Sequence, residues 1–95
     1  CFDFSHDPNP TVARVRDQLR QGNAVIVRYG WVKKYRGRWI KGRHFMLIDG
    51  VDQFGRFRCV NESWETLRLR TPKTLRKHLR NKKFARSSVW YITKC

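Results

Sequence analysis

Acidic residues are scarce in this 95-residue chain, which has 7 Asp and Glu against 22 Lys and Arg and so carries a formal net charge of +15. Cysteine is also rare, and an odd count of 3 argues against a closed disulfide framework. No apolar run reaches the length of a membrane span, and no secretory signal pattern opens the sequence. Metal-ligand spacings, phosphate-binding glycine loops and internal repeats are missing too, so we expect no metal site, cofactor or membrane span.

The residues that are present predict one globular domain over residues 1–95. The chain is 40% hydrophobic and has 4 Trp, 3 Tyr and 6 Phe, which is more apolar material than a disordered segment contains. A domain of this size has a small core, close to the lower limit of what folds unaided. Cys59 lies among apolar neighbours and is expected to be a small buried hydrophobic residue rather than a reactive thiol.

The positive charge is concentrated in two segments that contain no acid. Residues 31–43 hold six Lys and Arg, and residues 66–95 hold ten. Such density predicts a polyanionic partner, which could be RNA or DNA, an acidic protein surface or anionic lipid; the alternative is a solvated face that maintains solubility. The candidate polyanion-binding residues are Lys33, Lys34, Arg36, Arg38, Trp39 and Lys41 in the first segment, and Arg76, Lys77, Arg80, Lys82 and Lys83 in the second.

Aromatic residues alternate with cations in the first basic segment. Trp31, Tyr35 and Trp39 are spaced by four, while Gly37 and Gly42 argue against a long helix, so we expect a basic hairpin or loop. One interpretation is a platform for single-stranded nucleic acid, in which bases stack on rings and phosphates pair with cations. The other, which the small size of the domain favours, is that the rings cover the core and the cations face water.

Helix signals occur twice. In the first, Asn9 is the expected N-cap and Pro10 the first helical residue; an apolar stripe follows, Gly22 ends the helix, and residues 24–27 form a buried strand. In the second, Thr71 is the expected cap before Pro72, and residues 88–93 form a closing strand.

Residues 1–10 contain two prolines and are expected to be irregular. His78 is expected to lie on the basic surface of the second helix, and His6 with Asp3 and Asp7 is a weak metal-site signal.

The segment from Gly42 to Trp64 predicts a hairpin. Residues 44–49 and 56–61 read as strands, and Gly50, Asp52 and Gly55 supply the turn between them. If Asp49 faces Arg56, the pairs that follow are Ile48 with Phe57, Met46 with Cys59 and His44 with Asn61. That register would place an imidazole beside a carboxamide, the arrangement in which an orienting group holds a catalytic histidine.

This segment resembles the histidine–asparagine half of the papain-like cysteine peptidases, including the bacterial double-glycine-leader peptidases. The resemblance spans residues 11–93 and rests on His44, Asn61 and Trp64; it implies that Asn61 orients His44 and that Trp64 shields the pair. Arg43 stands where the family has a small residue, and Trp64 follows Asn61 by three positions where papain has two. A shift of one residue would give Glu62 the orienting role.

The resemblance implies a cysteine nucleophile at the start of a long helix, and no such segment occurs in this sequence. Cys1 is the one candidate, and a free terminal thiol or half of a disulfide is the simpler expectation for it. The chain begins at Cys1 without Met, so we expect a processed or truncated product, with a missing N-terminal segment or a companion chain bearing the cysteine. As an enzyme it would be a thiol protease; alone it is expected to be non-catalytic.

These observations predict an α+β domain with a mainly antiparallel, curved sheet and two helices, similar to the β-rich half of the papain-like fold. Two functions follow. The first is a peptidase-related domain that supplies the His44–Asn61 pair and depends on a thiol from elsewhere. The second is a basic nucleic-acid-associated or structural subunit on a degenerate peptidase fold, which points to an intracellular setting or a nucleoprotein assembly.

Overall fold

A computed structural model describes residues 1–61, 68–80 and 88–95, except for the side chains of Trp31, Asn61 and Arg68. Within those residues the fold is α+β, with two helices and six strands in one antiparallel sheet of order β1-β6-β2-β3-β4-β5, as the sequence predicts. The elements are β1 (Phe2–Asp7), α1 (Val12–Arg20), β2 (Ala24–Tyr35), β3 (Arg38–Val51), β4 (Phe57–Asn61), β5 (Arg68–Arg70), α2 (Pro72–Leu79) and β6 (Ser88–Lys94).

The core lies between one face of the sheet and the two helices. Alternate residues of β2 and β3 point to this side because successive side chains of a strand point to opposite faces. Val25 and Ile48, a directly opposed pair, are fully buried there, as are Val15 of α1 and Leu75 of α2. The other face of the sheet, which we call the outer face, has no described helix against it.

Threonine hydroxyls cap both helices. The Oγ1 of Thr71 accepts a hydrogen bond from the backbone N–H of Thr74, and Pro72 opens α2 as predicted. The cap of α1 is Thr11 rather than Asn9, so that helix begins two residues later than expected. Asn9 instead donates its backbone N–H to the carboxylate of Asp7, which forms a turn ahead of the helix.

The expectation of an irregular segment over residues 1–10 is wrong for Phe2–Asp7, which form the edge strand β1. This strand pairs with β6 from Phe2↔Lys94 to Asp7↔Val89, and the two prolines follow its last residue, so they interrupt no ladder hydrogen bond. The pairing is fixed at one end by a disulfide between Cys1 and Cys95. At the other end the hydroxyl of Tyr91 donates to the buried carboxylate of Asp7 at 2.5 Å.

The longest described strands form the β2–β3 hairpin, which continues past the described ends of its neighbours in the sheet. The two strands are paired from Val25↔Ile48 to Tyr35↔Arg38. Among the described residues, β6 pairs with β2 as far as Arg28, and β4 pairs with β3 from Met46 onward. Residues 30–43, which we call the arm, therefore pair with each other alone among the described strands. The long axis of the molecule is 47 Å, against 26 and 24 Å for the other two.

The arm ends in a two-residue turn at Arg36 and Gly37. Both have positive φ, 49° and 76° respectively, which is the signature of a type I′ turn. Its twist matches that of the strands it joins, so the ladder continues to the turn without a bulge. The basic segment is thus the hairpin that the sequence predicts, and its strands are longer than the apolar run 24–27 suggests.

Candidate functional site

The predicted register that would place His44 opposite Asn61 is wrong by two residues. Met46 faces Asn61 and Ile48 faces Cys59, and a bulge at Asp49 changes the pairing so that Val51 faces Phe57. The cause is a tighter turn: the carboxylate of Asp52 accepts hydrogen bonds from the backbone N–H groups of Phe54 and Arg56, so β3 runs on to Val51. A shift of two keeps every side chain on its predicted face, which is why Met46, Ile48, Phe57 and Cys59 are all buried.

The remainder of the predicted dyad lies outside the described part of the chain. The side chain of Asn61 is not described, nor are Glu62 and Trp64, so the hydrogen bond from Asn61 to His44 stays a prediction. His44 itself is half-buried on the core side of β3, where its ring lies edge-on to Tyr29 with 5.6 Å between ring centroids. Tyr29 is the residue directly opposite His44 in the ladder.

His78 joins this ring cluster, contrary to the surface position expected for it. Its imidazole stacks on Tyr29 with 4.1 Å between centroids, and it is half-buried under α2. Burial lowers the pKa of His78 because it disfavours the imidazolium, and the positive charges of Arg70 and Lys77, together with His44, lower it further. The cluster therefore keeps His78 neutral over a wider pH range than an exposed histidine.

The three cysteines do not supply a peptidase nucleophile. Cys1 is bonded to Cys95, which confirms the disulfide alternative and leaves this candidate nucleophile without a free thiol. Cys59 is buried, as predicted, and burial raises the pKa of its thiol to about 11. A thiolate is the reactive form of cysteine, and neither a disulfide nor a thiol with that pKa provides one at neutral pH.

The histidine and aspartates near the N-terminus do not converge. His6 and Asp7 are neighbours on β1 and so point to opposite faces of the sheet. The ring of His6 lies 5.5 Å from that of Trp90, while Asp7 accepts hydrogen bonds from Tyr91, Arg14 and Asn9. In the described ranges no group of three or more His, Cys, Asp or Glu side chains is arranged to hold a metal ion.

The arm presents its cations and aromatic rings to solvent. Trp39 is 68% exposed and Tyr35 is 50% exposed, so the interpretation that these two rings cover the core is wrong. They lie far along the hairpin from the helices, and the core is filled instead by Val, Ile, Leu and Phe side chains of the sheet and helices. The exposed cations of the arm are Lys33, Lys34, Arg36, Arg38, Lys41 and Arg43.

Neighbouring cations and rings contact each other on the arm. Lys34 is directly opposite Trp39, and its Nζ lies 5.8 Å from the centroid of the indole ring. The guanidinium of Arg36 lies 5.3 Å from the ring centroid of Tyr35. Lys33 and Lys34 are consecutive and so occupy opposite faces of the arm. Both faces therefore carry positive charge beside an aromatic ring.

The second basic cluster lies on α2, on the helix-covered side of the sheet. Leu75 is buried beneath this helix. Its solvent-facing side carries three exposed cations, which are Arg76, Lys77 and Arg80. Lys82 and Lys83 are outside the described residues. The helix contains no acid, so its cations have no carboxylate partner within the helix.

Two of the described ion pairs lie at the turn between β3 and β4. Asp49 accepts two hydrogen bonds of 2.8 Å from the guanidinium of Arg58, and these hydrogen bonds lower the pKa of Asp49. Asp52 accepts one guanidinium hydrogen bond, of 2.7 Å, from the Nε of Arg56. By sequence, no acid occurs between Asp17 and Asp49, which leaves the whole arm without an acid of its own.

The outer face also carries exposed apolar residues that the sequence does not identify as functional. On the outer face, Phe4 and Phe45 are 64% and 41% exposed, and they border a shallow apolar groove formed with Ile26, Val60 and Ile92. The available signal was the alternation over residues 39–47, in which every second residue, from Trp39 to Leu47, points to one face. The sequence did not indicate that residues 39–43 belong to the same strand as residues 44–47, so the alternation could not be recognised as one continuous face of β3.

Neither described helix is long or apolar enough to cross a membrane. Comparison with protein-family models, with curated proteins and with solved structures gives no match for this chain. The resemblance to papain-like peptidases thus remains a prediction from His44, Asn61 and Trp64.

Proposed function

We propose that this chain is a nucleic-acid-binding protein and that the arm is its main contact with the nucleic acid. The observation that supports this most is the placement of the charge. Six exposed Lys and Arg lie on a two-stranded hairpin that continues past the described parts of β4 and β6 and contains no acid. A solvated face that only maintained solubility would not require its cations to be gathered on one extended element.

The shape of the arm suits contact with a phosphate backbone. Six residue pairs extend from Gly30↔Arg43 to Tyr35↔Arg38, which corresponds to about 17–20 Å at roughly 3.3 Å per residue. Cations along that length can neutralise several successive phosphates and release their counterions, which is the main source of affinity in such complexes. The exposed cations of α2 add to the positive field that attracts the polyanion.

The peptidase interpretation has less support from the described residues. The three cysteines lack a thiolate, and the register places Met46 rather than His44 opposite Asn61. A protease mechanism would require a thiol from a segment or chain beyond this sequence. Nucleic-acid binding requires only residues that the arm already displays.

The test is a titration of labelled oligonucleotides over a salt series. The triple variant Lys34→Ala/Lys41→Ala/Arg43→Ala removes three arm charges and leaves the turn residue Arg36 unchanged. For a single strand, each lost phosphate contact reduces the slope of log affinity against log salt by about 0.7, so we expect a slope smaller by about 2. A matched control, Arg20→Ala/Lys73→Ala/Lys94→Ala, removes the same charge from exposed positions outside the arm.

Equal effects of the two triple variants would mean that the net charge, rather than the arm, determines binding. Negligible affinity of the unmodified protein at low salt, for single strands and duplexes alike, would contradict the proposed function itself.

A further inference from the structure

We infer that the nucleic acid is single-stranded and that it lies along the outer face of β3, with bases stacked on Trp39 and Phe45 and phosphates held by Lys41 and Arg43. This inference rests on the proposed function and specifies the ligand class and the face that binds it. The proposed binding surface includes Phe45, which lies outside the arm in a part of the sheet that the sequence does not identify as a binding surface.

The alternation of β3 creates the surface. Trp39, Lys41, Arg43 and Phe45 occupy every second position of an uninterrupted ladder, so their side chains share one face. All four are exposed. The two aromatic residues are six positions apart, about 20 Å along the strand, with the two cations between them. Rings for bases, separated by cations for phosphates, are the arrangement by which proteins bind single strands.

The neighbouring strands extend the same surface. Lys34 is opposite Trp39, and Arg28 is opposite Phe45, both on β2. The guanidinium of Arg28 donates to the hydroxyl of Ser88 at 3.0 Å and lies 5.6 Å from the ring centroid of Trp90 on β6. Arg28 thus has an aromatic residue on each neighbouring strand of this face, Phe45 on β3 and Trp90 on β6.

The mixture of residues favours a single strand over the other polyanions. A duplex has its bases paired and stacked inside, so exposed rings such as Trp39 and Phe45 would gain little from it. An anionic membrane would be matched by an apolar face with cations at its border. Here Lys41 and Arg43 separate the rings, and the opposite face of the arm is charged as well, through Lys33 and Arg38.

The experiment compares aromatic side chains on the two faces of the hairpin. Trp39→Ala and Phe45→Ala alter the outer face, and Tyr35→Ala, at a residue that is 50% exposed on the opposite face, is the matched control. Affinities are measured by anisotropy at one salt concentration for a single-stranded oligothymidylate, an oligouridylate and a duplex of equal length. We expect each outer-face variant to lose about 5- to 100-fold in single-strand affinity and less than about 3-fold for the duplex, with Tyr35→Ala near wild type.

Phe45→Tyr distinguishes stacking from damage to the fold, since it keeps the ring and should retain single-strand affinity. Equal losses in Tyr35→Ala and Trp39→Ala, with salt-dependent binding preserved, would overturn the face assignment and leave the proposed function intact. Co-sedimentation with phosphatidylserine-containing vesicles tests a membrane as the alternative ligand. If the unmodified protein sediments with the vesicles and Phe45→Ala does not, while Phe45→Ala binds single strands normally, the face assignment is also overturned. Absence of binding to every oligonucleotide at low salt would overturn the inference and the proposed function together.

Discussion

At the scale of single residues, the ring cluster of Tyr29, His44 and His78 shows how position changes chemistry. His78 lies on a helix with Arg76 and Lys77, yet its imidazole is turned under the helix and stacked on Tyr29. Protonation there would place a cation in a half-buried site near Arg70 and Lys77. The fold therefore favours the neutral ring, and this preference links stability to pH.

The prediction is that His78 makes the protein less stable as the pH falls below about 6.5. The pKa of His78 is below 6.5 in the folded protein, whereas in the unfolded chain it has the ordinary histidine value of about 6.5. Between these two pKa values the unfolded chain therefore binds more protons than the folded protein. The stabilisation is complete above about pH 6.5 and is lost as the pH falls through the folded-state pKa. His78→Phe, which keeps a ring against Tyr29, should flatten the dependence of the unfolding free energy on pH, measured by urea unfolding between about pH 7.5 and pH 5.

His6→Phe is the matched control, because His6 is exposed on the outer face. A His78→Phe protein that retained the full pH dependence of the unmodified chain would show that another group is responsible.

At the scale of elements, the turn of the arm places a cation, Arg36, in a backbone conformation that is unfavourable for arginine. Arg36 adopts a φ of 49°, a left-handed conformation that costs a non-glycine residue about 1 kcal/mol. Asn-Gly is the preferred pair for a type I′ turn, and here arginine occupies the first position instead. The residue at the tip therefore places a cation at the end of the arm at the expense of hairpin stability.

Arg36→Asn should therefore stabilise the protein and weaken its binding. We expect a gain of about 0.5–1 kcal/mol in unfolding free energy, measured by urea unfolding, because asparagine tolerates the positive φ. The same variant should lose affinity for nucleic acid, since it removes one phosphate contact. Lys34→Asn makes the same charge change at a strand position of the outer face without positive φ, and it should weaken binding without the gain in stability. Equal stabilities for the two variants would contradict the role assigned to the turn.

The sequence was informative for elements whose signals are local. Thr71 followed by Pro72 predicts the start of α2, and Asp52 with Gly55 predicts the turn between β3 and β4. Both depend on residues within one turn or one strand. The antiparallel α+β class follows from the order of such elements.

Other features depend on contacts between distant parts of the chain and could not be read locally. β1 exists because Phe2–Asp7 find a partner in β6. The register opposite Asn61 was missed because the bulge at Asp49 and the tight turn at Asp52 change it by two residues without altering any buried face. The exposure of Trp39 depends on where the hairpin places it relative to the core, which its composition does not reveal.

At the scale of the whole molecule, charge and hydrophobic packing are separated. The core lies between the helices and the sheet, while the cations of the arm are exposed and none of the arm's residues belongs to the described core. The basic cluster on α2 lies on the opposite side of the sheet from Phe45. A nucleic acid on the outer face would therefore contact the arm directly and interact with the α2 cations only through the longer-range field.

Removal of the arm tests the central claim most directly. Residues 33–40 can be replaced by Asn-Gly, which joins Val32 to Lys41, a pair already opposed in the ladder. No residue in that stretch belongs to the described core, so we expect near-wild-type urea unfolding and an unchanged near-ultraviolet circular dichroism signature of the core tyrosines. Affinity for a single-stranded oligonucleotide at low salt should fall by at least about tenfold, because four cations and Trp39 are removed. A folded variant that binds with unchanged affinity would contradict the account.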